Sequence, residues 1–209
     1  MVHVPVAREG WPFVLLPGVV AAALLLGGRR RLAAPFALAS LASLGFFRDP
    51  EREVTDLPDG VLAPADGRVV EIGRVVDDFV GPAVRVAIFL SPLDVHVNRA
   101  PVAGTVVGTM RIAGQFVAAF HPEAGDVNER CVLHLQGERA RVTVVQIAGV
   151  VARRISCRVD PGDRLEAGER FGMIRFGSRT DCVVPESTEI LVRVGDRVRA
   201  GVSLLGRLH

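Results

Sequence analysis

Two uncharged apolar runs decide what the N-terminal quarter of this chain can become. Residues 11–28, WPFVLLPGVVAAALLLGG, and residues 32–47, LAAPFALASLASLGFF, are separated by Arg29-Arg30-Arg31. As helices they would measure about 27 and 24 Å, slightly short of a full hydrocarbon core. A secretory signal carries its basic residues ahead of the apolar run, but here they follow it, and no small-residue cleavage site stands out. A two-span hairpin with a cytoplasmic body would put the three Arg outside, against the positive-inside rule. A shallow re-entrant or interfacial helical hairpin, which keeps those Arg at the headgroups, is the expectation. It places the protein at the cell membrane with its body on the cytoplasmic face. A buried helical pair of a soluble protein is the alternative, and the runs offer little polar surface for it.

From Arg48 onward the pattern changes. RDPEREVTDLPDG is a charged, Pro-containing linker, and after it come GRVVEIGRVV, AVRVAIFL, GTVVGTMRI, CVLHLQ, ARVTVVQIAGVVARRI and EILVRV. These are β-branched, alternating and bounded by Gly, Pro or Asp, the marks of short strands. No amphipathic helix of ordinary length follows residue 50. The expected fold is mainly β, a sandwich- or barrel-like body over 49–209 behind a membrane-associated segment over 1–48. Gly-Asp-Arg-x-x-Ala-Gly occurs at Gly162 and again at Gly195, an offset of 33 residues. Two copies of strand, Gly-Asp turn, strand, Ala-Gly turn have the look of the hammerhead units in biotinyl and lipoyl carriers, and predict a duplicated β unit.

Composition removes several functions. All 25 basic residues are Arg. Without lysine there is no lysine Schiff base, no pyridoxal phosphate linkage and no lipoyl or biotinyl arm. Net charge is +2 with the signs interspersed and aromatics at 5%, so neither a basic patch nor stacking platforms argue for nucleic acid. Cys131, Cys157 and Cys182 match no zinc spacing, and no His or carboxylate pair has convincing ligand spacing, so no metal is expected.

The residues that could do chemistry are few. His96 in FLSPLDVHVNRAP and His121 in AAFHPEAGD fall on breaks between strands, where side chains usually reach solvent or a site. His134 in CVLHLQ reads as an ordinary strand residue. Asp66 opens a strand from an Asp-Gly turn. Gly177-Ser178 interrupts an alternating run, as bulges and turns do, and Ser178 has no nucleophile-elbow frame. These residues alone name no reaction.

Taken together, five segments resemble the phosphatidylserine decarboxylase family in its short bacterial and archaeal branch. They are FFRDPER (46–52), APADG (63–67), FLSPLDVHVNRAPVAG (89–104), FHPEAGDVNER (120–130) and RFGSRTD (175–181). The family is pyruvoyl-dependent. The resemblance implies that Ser178 Oγ attacks the Gly177 carbonyl, and that ester elimination releases residues 1–177. Loss of ammonia then leaves a pyruvoyl group at position 178 on the chain 178–209. That carbonyl would form a Schiff base with phosphatidylserine and act as an electron sink while carbon dioxide leaves, yielding phosphatidylethanolamine.

By the same resemblance His96 serves proton transfer, and Asp66 orients or activates a histidine during self-cleavage. Longer members carry a second His three residues after the first, where this chain has Arg99. The self-cleavage base is therefore His96 or, coming from its own loop, His121. Arg99 is a candidate for a lipid phosphate or a residue of the strand surface. The partners implied are phosphatidylserine and membrane lipids, and the two cleaved chains would form a heterodimer open to further homo-oligomerisation. A membrane-tethered hammerhead scaffold without activity is the competing reading.

Overall fold

The computed structural model describes residues 5–117, 124–149, 154–175 and 178–209, and divides into two compact units, 1–51 and 52–209.

In the first unit, α1 (Trp11–Leu26) and α2 (Arg30–Phe46) form a helical hairpin. Gly27-Gly28 ends α1: Gly28 takes φ +73°, and the N–H of Arg29 reaches back to the Leu24 carbonyl at 2.8 Å. Ser40 Oγ donates to the Val14 carbonyl at 2.8 Å, and Gly18 leaves room for it. Leu16, Val19, Leu26, Leu38 and Leu41 are all more than half exposed. Such a surface suits hydrocarbon or a headgroup boundary rather than water. Arg8–Leu26 is long and apolar enough by length and composition to cross a membrane. The apolar N-terminus is thus able to anchor the chain.

The second unit is mainly β, as its alternating segments predict. Its strands are β1 (Gly60–Leu62), β2 (Gly67–Asp77), β3 (Gly81–Leu90), β4 (Val97–Arg99), β5 (Gly104–Ile112), β6 (Arg130–Gly137) and β7 (Arg141–Ile147). They continue as β8 (Ile155–Cys157), β9 (Arg164–Leu165), β10 (Arg170–Ile174), β11 (Ser178–Pro185), β12 (Glu189–Ile190), β13 (Arg197–Val198) and β14 (Leu204–Arg207). An antiparallel sheet runs in the order β13-β2-β3-β11-β7-β6-β5-β9, beside two smaller sheets, β1-β14-β12 and β4-β10-β8. Ile88, Leu90, Leu133, Leu135, Val144 and Val184 are buried in the main core. Each such side chain contributes about 1.5–3 kcal/mol on leaving water.

The repeated Gly-Asp-Arg sequence is repeated in structure. Gly162 and Gly195 take φ +100° and +102°, and Gly168 and Gly201 take +76° and +72°. Asp163 caps the Asp160 N–H at 2.9 Å, and Asp196 caps the Arg193 N–H at 2.8 Å. The copies supply β9 and β13, the two opposite edges of the large sheet. Their second turns meet, since a Cβ on Gly201 would lie 3.4 Å from Gly168 Cα. The contact brings together the turns that follow the two edge strands.

Candidate active site

Ser178 is the first residue of β11, a central strand flanked by β3 and β7. The strand is buried on both faces, and its two rows carry different chemistry. Ser178 and Thr180 lie in the row that continues as Cys182 and Val184 into the core, whereas Arg179 and Asp181 lie in the opposite row. Ser178 is fully buried, and its hydroxyl has no hydrogen-bond partner among the described residues.

On the core side, Asn98 joins three of the motifs. Its Nδ2 donates to the Pro64 carbonyl of APADG at 3.3 Å and to Thr180 Oγ1 of RFGSRTD at 3.1 Å. Its Oδ1 accepts from Gln146 Nε2 of β7 at 2.7 Å. Asn98, Thr180 and Gln146 are each inaccessible to solvent. This polar set stands inside an apolar core at the end of the sheet where Ser178 sits.

His96 lies two residues before Asn98 and is fully buried rather than loop-exposed, because β4 is covered by β10: the His96 carbonyl accepts the Ile174 N–H at 3.2 Å. Its Nδ1 lies 3.0 Å from the Asp94 carbonyl. A carbonyl only accepts, so Nδ1 carries a proton. The Asp94 carboxylate in turn takes the N–H and Oγ–H of Ser91 at 2.8 and 2.7 Å, closing the Ser91–Asp94 turn that presents His96.

On the opposite face, Arg179 makes two bonds to Asp181, Nε to Oδ1 at 2.6 Å and Nη2 to Oδ2 at 2.9 Å, with 3% and 4% of the side chains exposed. Glu71 Oε2 takes Arg179 Nη2 at 3.2 Å, and Glu71 Oε1 takes Arg85 Nη2 at 2.5 Å. Burial pushes the Asp181 carboxyl up, while Arg179 and then Arg85 pull it back. With both carboxylate oxygens on the guanidinium, the ionised form is the one the site holds. Desolvation opposes the Arg179 charge, yet Asp181 and then Glu71 hold its pKa above the ordinary value. Burial also raises Glu71, but Arg85 and then Arg179 outweigh it and leave that carboxyl below its usual value.

Asn98, two residues after His96, bonds Thr180, two residues after Ser178. Asp66 accepts from Arg52 Nη2 at 2.8 Å and from the Ala200 N–H at 2.9 Å. These contacts tie the APADG turn to the second Gly-Asp-Arg repeat. Arg99 is 4% exposed and donates to the Gly168 carbonyl at 3.0 Å, and the Gly201 turn packs on its side chain. It sits where the two repeats meet. Gly177 and His121 lie outside the described residues. Among the described residues no group of three His, Cys, Asp or Glu could hold a metal.

The phosphatidylserine decarboxylase family model matches residues 41–206. The chain belongs to the phosphatidylserine decarboxylase family. Among curated relatives, the phosphatidylserine decarboxylase proenzyme of Symbiobacterium thermophilum is 48% identical, covering 97% of this chain and 95% of the relative. That of Streptomyces griseus is 47% identical, over 98% and 94% of the two chains. That of Desulfotalea psychrophila is 41% identical, over 99% and 98%. Membership makes the chain a carboxy-lyase by family, and the word proenzyme in those names fits a precursor that processes itself. The inactive-scaffold reading gains nothing from these relatives.

Residue-level reading of the sequence missed Asn98, Gln146, Thr180 and the Arg179–Asp181 pair. Alternation carried part of the signal: H-V-N places His96 and Asn98 on one side, and S-R-T-D sorts Ser178 with Thr180 and Arg179 with Asp181. Gln146 gave none, because a polar residue in VTVVQI is indistinguishable from an outward one until β7 is known to be central.

Proposed function

We propose that this chain is made as a precursor, cleaves itself between Gly177 and Ser178, and as the two-chain product decarboxylates phosphatidylserine to phosphatidylethanolamine at the membrane surface. The observation that carries the reading is the Ser178 hydroxyl. It is fully buried and without a partner among the described residues, at the first residue of a clamped central strand. A desolvated hydroxyl beside a scissile bond needs a base nearby, and His96, with its proton held on Nδ1 by the Asp94 carbonyl, is the candidate.

In the cleavage, Ser178 Oγ bonds to the Gly177 carbonyl carbon as the C–N bond breaks, giving an ester. Elimination returns the Gly177 carboxylate and leaves a dehydroalanine, and water then replaces its nitrogen, which departs as ammonia. The resulting pyruvoyl group at position 178 fits a chain without lysine, since a ketone made from the backbone replaces a bound aldehyde. It would supply an electron sink for loss of the substrate carboxylate. This chain's own residues have three tasks. The Gln146–Asn98–Thr180 set fixes β11 from the core side, the Arg179–Asp181 pair fixes it from the other, and His96 delivers a proton to the α-carbon. Asp66, held by Arg52 and the Ala200 N–H, is assigned to orienting a histidine during self-cleavage, and Arg99 to a lipid phosphate or to the strand surface.

The apolar hairpin keeps the body at the bilayer, where the lipid headgroup need only reach the site, and we assign the body to the cytoplasmic face, the side the positive-inside rule favours for Arg29–Arg31. Intact mass and a denaturing gel test the reading. The purified protein is expected as two chains, 1–177 and 178–209, the smaller blocked to Edman chemistry, and Ser178→Ala as one chain that releases no carbon dioxide from phosphatidylserine. An active protein with a single intact chain refutes it.

A further inference from the structure

The orientation of the buried amides is fixed by a group that cannot be turned around. The Pro64 carbonyl is an acceptor only, so the Asn98 atom facing it at 3.3 Å is Nδ2. Asn98 Oδ1 then faces β7, and Gln146 must meet it with Nε2, at 2.7 Å. The atom left over is Gln146 Oε1, a fully buried acceptor with no hydrogen-bond partner among the described residues. Gly172 of β10 makes the space for this amide, since a Cβ there would stand 2.9 Å from Nε2 and 3.4 Å from Oε1, and would collide with the Ser156 carbonyl.

The register puts Gln146 opposite Thr180 and Ile147 opposite Arg179. Gln146 is therefore the diagonal neighbour of Ser178 on the same face of the sheet, a separation a long side chain spans. A buried acceptor left unmet is costly, and native folds keep one chiefly where a ligand or reaction uses it. It demands an N–H or O–H donor. In the headgroup of a serine phospholipid the carboxylate and phosphodiester are acceptors and the amine is the donor.

We infer that Gln146 is the amine-binding residue of the site: Oε1 accepts an N–H of the substrate amine beside position 178, with the carboxylate turned away, and so selects headgroups that carry a primary amine. The inference rests on the phospholipid reading above and adds to it the residue that reads the amine. Asn98 acts through Gln146 as a positioning residue, holding Nε2 so that Oε1 faces the site.

Calorimetric titration of the mature protein with dihexanoyl phosphatidylethanolamine and dihexanoyl phosphatidylglycerol, both below their micellar concentrations, isolates the amine without requiring turnover. In Gln146→Met, which keeps the length and removes the acceptor, the amine lipid is expected to bind at least tenfold more weakly, about 1.4 kcal/mol, while the glycerol lipid changes less than twofold. In Gln146→Glu the oxygen that meets Asn98 Oδ1 must carry a proton while the other remains an acceptor, so the preference for the amine lipid is expected to stay within threefold of the wild type. A ratio unchanged in Met, or, where the Met variant does not fold, a preference lost in a folded Glu variant, overturns the assignment. A wild-type protein that prefers the amine lipid yet releases no carbon dioxide from phosphatidylserine would refute the decarboxylase reading and leave Gln146 standing.

Discussion

Asp181→Asn is the most informative single change on the far side of β11. It keeps the size of the side chain and removes the charge, leaving the Arg179 guanidinium buried with 3% of its side chain exposed. Breaking a buried pair from one side costs about 3–5 kcal/mol, mostly the penalty of the charge left behind. Glu71 still reaches Arg179 at 3.2 Å, but its side chain is 38% exposed and solvent screens it, so the lower end, about 3 kcal/mol, is the expected loss. For a domain of this size that corresponds to roughly 6–12 °C in Tm. Measured by circular dichroism in detergent on the uncleaved Ser178→Ala background, the shift reports folding without the complication of a cut chain. Arg179→Met with Asp181→Leu should recover most of the loss, because replacing both partners of a buried pair is close to neutral. In the Ser178 background Asp181→Asn should also slow self-cleavage, since the pair holds β11 in register and a one-residue slip would turn Ser178 to the wrong face. A Tm change below about 2 °C would show that Arg179 is not dependent on Asp181, and would refute the clamp.

Two further outcomes follow from titrating groups. Glu71 is held below its ordinary value of 4.5 despite burial, by Arg85 and then Arg179. Its folded-state pKa is lower than its unfolded one, so its contribution is complete above that ordinary value and disappears as pH falls through the folded value. Urea midpoints between pH 3 and 6 should therefore drop less steeply with acid in Glu71→Gln than in the wild type, and parallel profiles would contradict the Arg85–Glu71–Arg179 arrangement. Cys157 is half-buried and lowered to about 7, first by the hydrogen bond from Cys131, whose own thiol is correspondingly raised. Iodoacetamide should label Cys157 ahead of Cys131 and Cys182 with a half-point near pH 7. Cys131→Ala should move that half-point toward the ordinary 9.0, and a half-point unmoved by this change would break the pairing of the two thiols.

The fold class was legible because the body is antiparallel and its strands are short, so alternation and turn residues report each one directly. The Gly-Asp-Arg repeat was legible for a second reason: Gly162 and Gly195 must take positive φ, and that requirement leaves a mark in the sequence. The site was legible only in part. Ser178 and His96 carry recognisable motifs, but what surrounds them is assembled over separations that no local pattern encodes, such as the 82 residues between Asn98 and Thr180. For the same reason the contacts of Asp66 and Arg99 could not be read from the sequence. A carboxylate bonded to Arg52 and to the Ala200 N–H, and a guanidinium on the Gly168 carbonyl, use residue types that catalysis also uses.

The proposed cut before Ser178 has a consequence for the two chains it would leave. A precursor cleaved before Ser178 releases a new N-terminus at the first residue of β11 and leaves 178–209 attached by noncovalent contacts alone. β11 lies between β3 and β7 and pairs with β3 from Ser178↔Leu90 to Pro185↔Ala83 and with β7 from Arg179↔Ile147 to Val183↔Thr143. Cys182, Val184, Val198, Leu205 and Leu208 of the small chain are buried in the main core. At about 1.5–3 kcal/mol for each large apolar side chain, Val184, Val198, Leu205 and Leu208 contribute about 6–12 kcal/mol, against the roughly 12 kcal/mol of a nanomolar complex, and the pairing of β11 with two strands adds to it. Because β12, β13 and β14 belong to three different places in the two sheets, the small chain cannot peel from one end without opening the core. The two chains should therefore migrate together through gel filtration in mild detergent at nanomolar concentration, and separate only at the urea concentration that unfolds the body. Release of the 178–209 chain from otherwise folded protein would mean that β11 is not a central strand after cleavage, and that the clamp belongs to the precursor alone.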